Sequence, residues 1–478
     1  MNIPLYIKKK TEVFFWSSSK FLKNSFDNIV EKNKVNLRKK FLKFINIFSE
    51  NNSRDNKYLN FAGINLAELS LISEKNVYKS NRIYDCLKLL ALEDLVTKKN
   101  IDEIEYLGNR KDVFFSIKEL CKKKKVTIND RFYLKGRELS FVYFMRGIFF
   151  YFFFIIKNYK KHKQKKFFKN ITFFSYFVHF SKPSSKKYQS FLWGSLNKLL
   201  IKNNLRSNWF HFFVPSSQVK TINEAKIKLT DFNRSQYENH LILNSYIKRS
   251  SILFLLFEYT FVYFKVLLFF DFKKNFQTYN ISKCNFYEFL KKDLYKSFCG
   301  DSLIYNIFNI KIIDELLKNM PKQKLGFFLF ENQSWEKCLI KLWRKYNHGK
   351  LIACINSTIR FWDLRYFKTK KEFISKSKNP DYYLFNSTKF KNTAVNNFYP
   401  RNKCLVVEAL RYNHLKGQKA KKNNKVLLVG DINFLENERL LLEFSKITKK
   451  LKKNRIFFKP HPTNSFKKLK QLSEKYQD

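Results

Sequence analysis

No two of the seven cysteines stand as a CxxC pair. Cys86, Cys121, Cys284, Cys299, Cys338, Cys354 and Cys404 are spread along the chain, several inside apolar runs such as 351–355. They read as reduced, buried thiols of a reducing compartment, which excludes a disulfide scaffold. No pair of the seven histidines has the spacing of a metal site, and zinc-finger spacing is absent. The first twenty residues lack a continuous apolar stretch, so no signal peptide is expected. Acidic residues are few, 39 against 94 Lys and Arg, giving a formal charge of +55. Glycine (10) and proline (8) are scarce as well.

What is abundant explains part of this. Phe (55), Tyr (26), Lys, Asn and Ile are the residues that A/T-rich codons favour. Much of the charge is therefore read as genome bias. Such a charge still raises nucleic acid or an anionic membrane as partner. No basic–aromatic stripe resembles an RNA-binding motif, so nucleic acid is the minor reading and no specific nucleic acid is expected. Hydrophobic residues make up 45% of the chain, which excludes a disordered protein, and 478 residues suggest two domains.

The segmentation expected is a basic N-terminal segment (1–56), an α/β domain (57–415) and, after a Lys-rich linker (416–425), the start of a second α/β domain (424–478) that the sequence leaves incomplete. Residues 80–98 place Ile83, Leu87, Leu90, Ala91 and Leu95 on one helical face. Residues 101–107 suit a strand and 111–124 a helix. Two segments are unusually apolar. Residues 139–156 contain one charge, Arg146, and precede the basic run 157–166; residues 251–270 contain Glu258 and Lys265. Core helices, interfacial helices and membrane spans compete here, and Phe-rich apolar surface beside Lys-rich flanks favours lying in an anionic leaflet over spanning.

From Lys324 the pattern sharpens. Residues 325–330 form an apolar strand. Ser334 is expected to cap the next helix, with Glu336 in its first turn, and Gly349 to end it. Residues 351–355 are the following strand. This strand–helix–strand unit belongs to a parallel sheet, whose ligands sit beyond the carboxyl ends of the strands. Those ends are Glu331-Asn332-Gln333 and Asn356-Ser357-Thr358. Later, 426–429 and 455–459 read as strands around a helix at 436–452, and the second strand ends in Pro460-His461-Pro462.

Four runs carry a resemblance: Glu331 to Lys337 (ENQSWEK), Ser357 to Tyr366 (STIRFWDLRY), Glu408 to Tyr412 (EALRY), and Lys459-Pro460-His461-Pro462. Over about residues 320–465 the chain resembles a family of bacterial surface carbohydrate biosynthesis proteins. More distantly it is similar to bacterial sialyltransferases and polysialyltransferases of the two-domain GT-B plan. The resemblance implies a GT-B-like α/β fold of two Rossmann-type domains, the C-terminal one incomplete, with helical insertions. It implies transfer of an acidic sugar from a nucleotide sugar, a CMP-sugar, to a glycan or lipid-linked glycan, at the inner face of the cytoplasmic membrane and without a metal or other cofactor. Lys459 and His461 would lie near the donor phosphate. One departure is Asn356, where the resemblance leads one to expect His.

The chemistry needs a base for the acceptor hydroxyl and positive groups for the leaving phosphate. Glu331 and Asp363 are the two candidates for the base. Helix capping competes for the first, and an ion pair with Arg360 or Arg365 for the second. Arg360, Arg365 and Arg411 offer planar forks for carboxylate or phosphate, with Ser357 and Thr358 beside them, and structural pairing with Asp363 or Glu408 is the alternative. Two rivals stand beside the transferase: a non-catalytic or truncated pathway partner, and a basic nucleic-acid binder.

Overall fold

Two kinds of apolar pattern, Phe-rich strands and long helices, build two compact units. A computed structural model describes residues 4–7, 12–16, 24–54, 57–129, 132, 138–158, 166–180, 185–247, 249–276, 281–415, 425–431, 434–448, 455–461, 464–465, 469–471 and 474. The larger unit comprises Arg38–Cys86 and Gly136–Lys416, the smaller one Met1–Leu37, Leu87–Lys135 and Gly417–Asp478. This differs from the linear segmentation at 56 and 415. Backbone pairing is the reason: Pro4–Ile7 pairs antiparallel with both Glu12–Phe15 and Glu103–Tyr106, which draws the first residues and the region after Leu87 into one body. The expected linker at 416–424, the basic residues 159–165 and Pro462 lie outside the described residues.

The larger unit contains a seven-stranded parallel sheet. Its strands are β1 (Asn170–Tyr176), β2 (Ser207–Phe212), β3 (Glu238–Ile242), β4 (Gln323–Leu329), β5 (Lys350–Ile355), β6 (Tyr382–Phe385) and β7 (Cys404–Val406). Their spatial order is 3-2-1-4-5-6-7, all neighbours parallel. Sheets buried on both faces read as near-continuous apolar runs, and the Phe-rich segments of β1 and β4 are of this kind. At their centre the Phe173 ring stacks between Trp209 (4.1 Å) and Phe327 (5.0 Å). The chain builds outward from β1 to β3, then returns to the other side of β1 and builds outward again from β4. The reversal between β1 and β4 is a topological switch point, where such sheets open a crevice at their carboxyl edge.

Between β3 and β4 the chain makes helices. The apolar segments form α1 (Ser140–Asn158), before the sheet, and α2 (Arg249–Phe269), after β3. Both rest on α3 (Tyr287–Cys299) and α4 (Asp301–Asn319). After β4 comes α5 (Ser334–Lys345), which buries Trp335, Cys338, Leu339, Leu342 and Trp343, the face expected from spacing. Two local expectations are corrected. Gln333, not Ser334, holds the N-cap position of α5. Gly349 lies four residues beyond the helix end, where its N–H donates to the Gln323 carbonyl at 2.7 Å. A Cβ there would come within 2.3 Å of the Lys324 carbonyl oxygen, so a close backbone approach demands the glycine.

In the smaller unit, a four-stranded sheet joins Glu12–Phe15, Pro4–Ile7, Glu103–Tyr106 and Thr127–Ile128. Separately, Lys425–Val429 pairs parallel with Arg455–Lys459, with the helix Phe434–Thr448 between them in sequence. The strand–helix–strand order read from this part of the sequence is present.

Candidate functional site at the carboxyl edge of the sheet

Strand β4 delivers Glu331 to the edge of the crevice. The chain turns at once, at Asn332, whose φ of +57° lies in the left-handed region that Asn tolerates. The turn is held from outside: the Asn332 amide donates to the carbonyls of Ser73 (3.1 Å) and Glu74 (2.8 Å). The Ser334 N–H donates to Glu74 Oε1 at 3.0 Å, doing the work a cap would do. Glu336 in the first turn of α5 folds back so that its Oε1 accepts the Glu331 N–H at 2.9 Å. Its Oε2 is buried without a partner. Burial pushes the Glu336 carboxyl well above the usual range, and the neighbouring charge of Glu331 adds to this.

The two base candidates separate clearly. Asp363 is buried and gripped by Arg365 through two bonds of 2.7 Å, Nε to Oδ1 and Nη2 to Oδ2. Glu331 takes the third arm of the same guanidinium, Nη1 to Oε2 at 3.3 Å, and accepts from Gln333 Nε2 at 3.0 Å. Among the described residues its Oε1 has no hydrogen-bond partner, and its side chain is 30% exposed against 5% for Asp363. Burial acts to lower the Arg365 pKa, but the Asp363 hydrogen bonds and the surrounding negative charge outweigh it and raise the value. Asp363 is thus a structural anchor, and Glu331 is the carboxylate with a free edge toward solvent.

Across the switch point stands Tyr176, the last residue of β1, whose hydroxyl accepts the Trp335 indole N–H at 3.1 Å. Burial, with the charges of Glu336 and Glu331, pushes its phenol well up. Beyond β1 comes His179, at φ +58° and only partly shielded from solvent. Its imidazole is pulled below the ordinary value by burial and by the positive charge of Arg411. The chain after β7 therefore comes back over the carboxyl edge. A second contact shows the same path: a Cβ on Gly194 would lie 2.5 Å from the Leu410 carbonyl oxygen. The turn ending at Gly194 also reaches the end of β5, where Asn356 Nδ2 donates to the Leu192 carbonyl at 2.8 Å. Ser357 is half-buried, and Thr358 and Arg360 are exposed on the loop leaving β5. The end of β1 (Tyr176) and the loops after β1, β4, β5 and β7 (His179, Glu331, Ser357, Thr358, Arg360 and Arg411) thus lie at the carboxyl edge.

Beneath the Glu331 turn lies a buried ion network. Lys337 donates to the carbonyls of Glu68 (2.7 Å) and Ser73 (2.9 Å), and Lys75 to the Phe367 carbonyl (2.7 Å). Lys368 donates to Asn379 Oδ1 at 3.0 Å. Burial lowers both Lys337 and Lys368 to about 8. With each ammonium tied to backbone or amide oxygen, these lysines hold the turn and the loop after β5 in place.

Lys459 and His461 belong to the smaller unit. There Gly430 and Asp431 leave one parallel strand and Pro460 and His461 leave its neighbour. The Gly430 N–H donates to the Lys459 carbonyl at 2.8 Å. Asn464 joins the two ends: its N–H donates to the His461 carbonyl (3.0 Å) and its amide to the Asp431 carbonyl (2.6 Å).

Sequence reasoning missed His179 and Tyr176; the rule that ligands gather at the carboxyl ends of parallel strands is the signal that would have flagged both. It placed Glu336 in the first turn of the helix and did not foresee that its carboxylate folds back to the Glu331 N–H. It also had no means of pairing His211 with His240, whose ring nitrogens meet at 3.0 Å on the neighbouring strands β2 and β3. Among the described residues no group of three or more His, Cys, Asp or Glu is arranged to hold a metal ion.

No protein-family model, curated protein or solved structure matches the chain. What fold and site define is a class: a mixed α/β protein whose seven-stranded parallel sheet has a Rossmann-like order, with polar groups gathered at its switch point.

Proposed function

We propose that the chain is a glycosyltransferase-like protein of bacterial surface polysaccharide biosynthesis, built on a GT-B-like plan and using a CMP-linked acidic sugar as donor. The observation that carries this reading is Glu331: a carboxylate at the switch point, held by Arg365 through one oxygen, on a side chain that is 30% exposed. A base of this kind takes the proton of an acceptor hydroxyl as the hydroxyl oxygen attacks the anomeric carbon. The leaving nucleotide phosphate needs positive charge, and Arg360 and Arg411 are the cations on the same edge, with Ser357 and Thr358 as hydroxyl donors. Arg365, paired with Asp363 through two bonds, is assigned in this reading to aiming Glu331. The resemblance assigns Lys459 and His461 to the donor phosphate, a role tested separately.

One observation favours a second reading, a non-catalytic pathway partner. Asn356 replaces the expected His, and its amide is committed to the Leu192 carbonyl. The two readings part in one experiment. The purified full chain is titrated with CMP, then assayed for CMP release from a CMP-linked acidic sugar with and without a glycan acceptor. Wild type that binds CMP and releases it in the presence of acceptor, and a Glu331→Gln variant that binds equally but turns over about 10² times more slowly, support the transferase. CMP binding without turnover supports the partner. No CMP binding, or equal turnover by the variant, removes the transferase reading.

A further inference from the structure

Helices α1 and α2 are predominantly apolar, yet each is buried on one side only. On the inner side of α2, Leu255, Tyr259, Val262 and Val266 are buried. On its outer side eight large hydrophobic residues are exposed, Phe257 at 65% and Leu268 at 73% among them. Helix α1 repeats this pattern: Tyr143, Tyr151 and Phe154 are buried, and six large hydrophobics face outward, with Phe149 at 70% and Ile156 at 81%. The helices touch one another. Phe144 stacks on Tyr259 and Tyr263, and the Tyr151 hydroxyl donates to the Ile252 carbonyl at 2.7 Å. Since both lie on α3 and α4, their outer sides form one apolar surface of two helices. Large exposed hydrophobics gathered on one surface mark an interaction site.

We infer that this surface docks in the plane of an anionic lipid bilayer, both helices lying flat in the interface. By length and composition alone, Ser251–Phe269 would be able to cross a membrane. Its fastenings argue for lying instead. The Tyr259 hydroxyl donates to the Cys299 carbonyl at 2.6 Å, and Glu258 pairs with Lys311 on α4 at 2.6 Å. Spanning would break both and strip the inner apolar side from α3 and α4. Charge selects the partner. A second copy would bring +55 against +55, whereas an anionic leaflet attracts it. Cations border the apolar side as interfacial binding requires. Lys265 lies over the Phe261 ring at 4.1 Å, and the exposed Arg146 lies over Tyr143 at 5.5 Å, long stems along apolar surface with heads able to reach phosphate. The inference does not rest on the transferase reading, since any activity is compatible with such a face.

The test is co-sedimentation of the full chain with vesicles of phosphatidylcholine alone, or of phosphatidylcholine with phosphatidylglycerol. Wild type is expected to bind the anionic vesicles, weakly or not at all the neutral ones, and to be partly released by high salt. Phe149→Gln, Phe153→Gln, Phe257→Gln and Phe264→Gln combined change only exposed positions. They are expected to lower anionic-vesicle binding by roughly tenfold or more, with circular dichroism and melting temperature retained. Equal binding by this variant overturns the inference. So does equal binding of wild type to both vesicle types, or a vesicle-indifferent dimer that the variant abolishes.

Discussion

Arg365 grips Asp363 with two hydrogen bonds of 2.7 Å and turns its remaining arm to Glu331 at 3.3 Å. One guanidinium thus divides the two carboxylates that the sequence offered as candidate bases. Removing the buried partner leaves a buried cation with only its weaker contact. Asp363→Ala is therefore expected to cost ~3 kcal/mol in urea unfolding, since breaking a buried pair from one side is expensive. Glu331→Gln, at a partly exposed position, is expected to cost about 1 kcal/mol or less. The opposite ranking would make Glu331 the structural member of the pair.

The Glu336 carboxyl has its pKa raised in the fold, chiefly by burial. The folded chain therefore holds this proton at pH values where the unfolded chain has released it. Its contribution to stability is complete below the unfolded value of about 4.3 and is lost as pH rises toward the folded value. Glu336→Gln keeps an oxygen for the Glu331 N–H and removes the titration. The variant should gain on wild type in melting temperature as pH rises from 5 to 8, and a constant difference across that range would show that Glu336 does not titrate there.

His211 carries the opposite sign. Burial, helped by His240, holds its imidazole well below the ordinary value, and its Nδ1 has no partner. His240, Glu238 and Tyr188 are the titratable groups around it. The unfolded chain takes up a proton below about pH 6.5 that the folded chain refuses, so stability is lost as pH falls through that value. His211→Phe should flatten the acid limb of the stability curve between pH 7 and 5, whatever it does to stability at pH 8. An unchanged acid limb would assign the loss to other groups.

The local elements were legible because their periodicities are local. The buried face of α5, the strands on either side of it, and the later strand–helix–strand unit are all where spacing puts them. Sheet order and unit membership were not, because they depend on pairings such as Leu5 with Tyr106 that no window contains. The carboxyl-end rule placed Glu331 and Ser357 correctly at one edge. It did not show that Arg411 comes back over that edge toward His179, a path fixed by the contact of Leu410 with Gly194. The outward apolar sides of α1 and α2 were visible as composition. Which side is outward follows from packing on α3 and α4.

His461 offers the last test, at a turn with its own backbone support. The turn that presents it is held by backbone: the His461 carbonyl accepts the Asn464 N–H, and Asn464 reaches on to the Asp431 carbonyl. The Pro460 ring fixes φ just before it. These backbone contacts do not involve the imidazole, so His461→Ala should keep them at the carboxyl end of the parallel pair. If that side chain meets a donor phosphate, the loss is one charge-assisted hydrogen bond, about 1.5–3 kcal/mol, or roughly 10- to 100-fold in affinity. Calorimetric titration of the full chain with CMP, wild type beside His461→Ala and Lys459→Ala, reads this directly. Both variants are expected to bind more weakly, with melting temperatures close to wild type. CMP binding of undiminished strength in both would mean that these residues do not form the donor phosphate site, whatever Glu331 does.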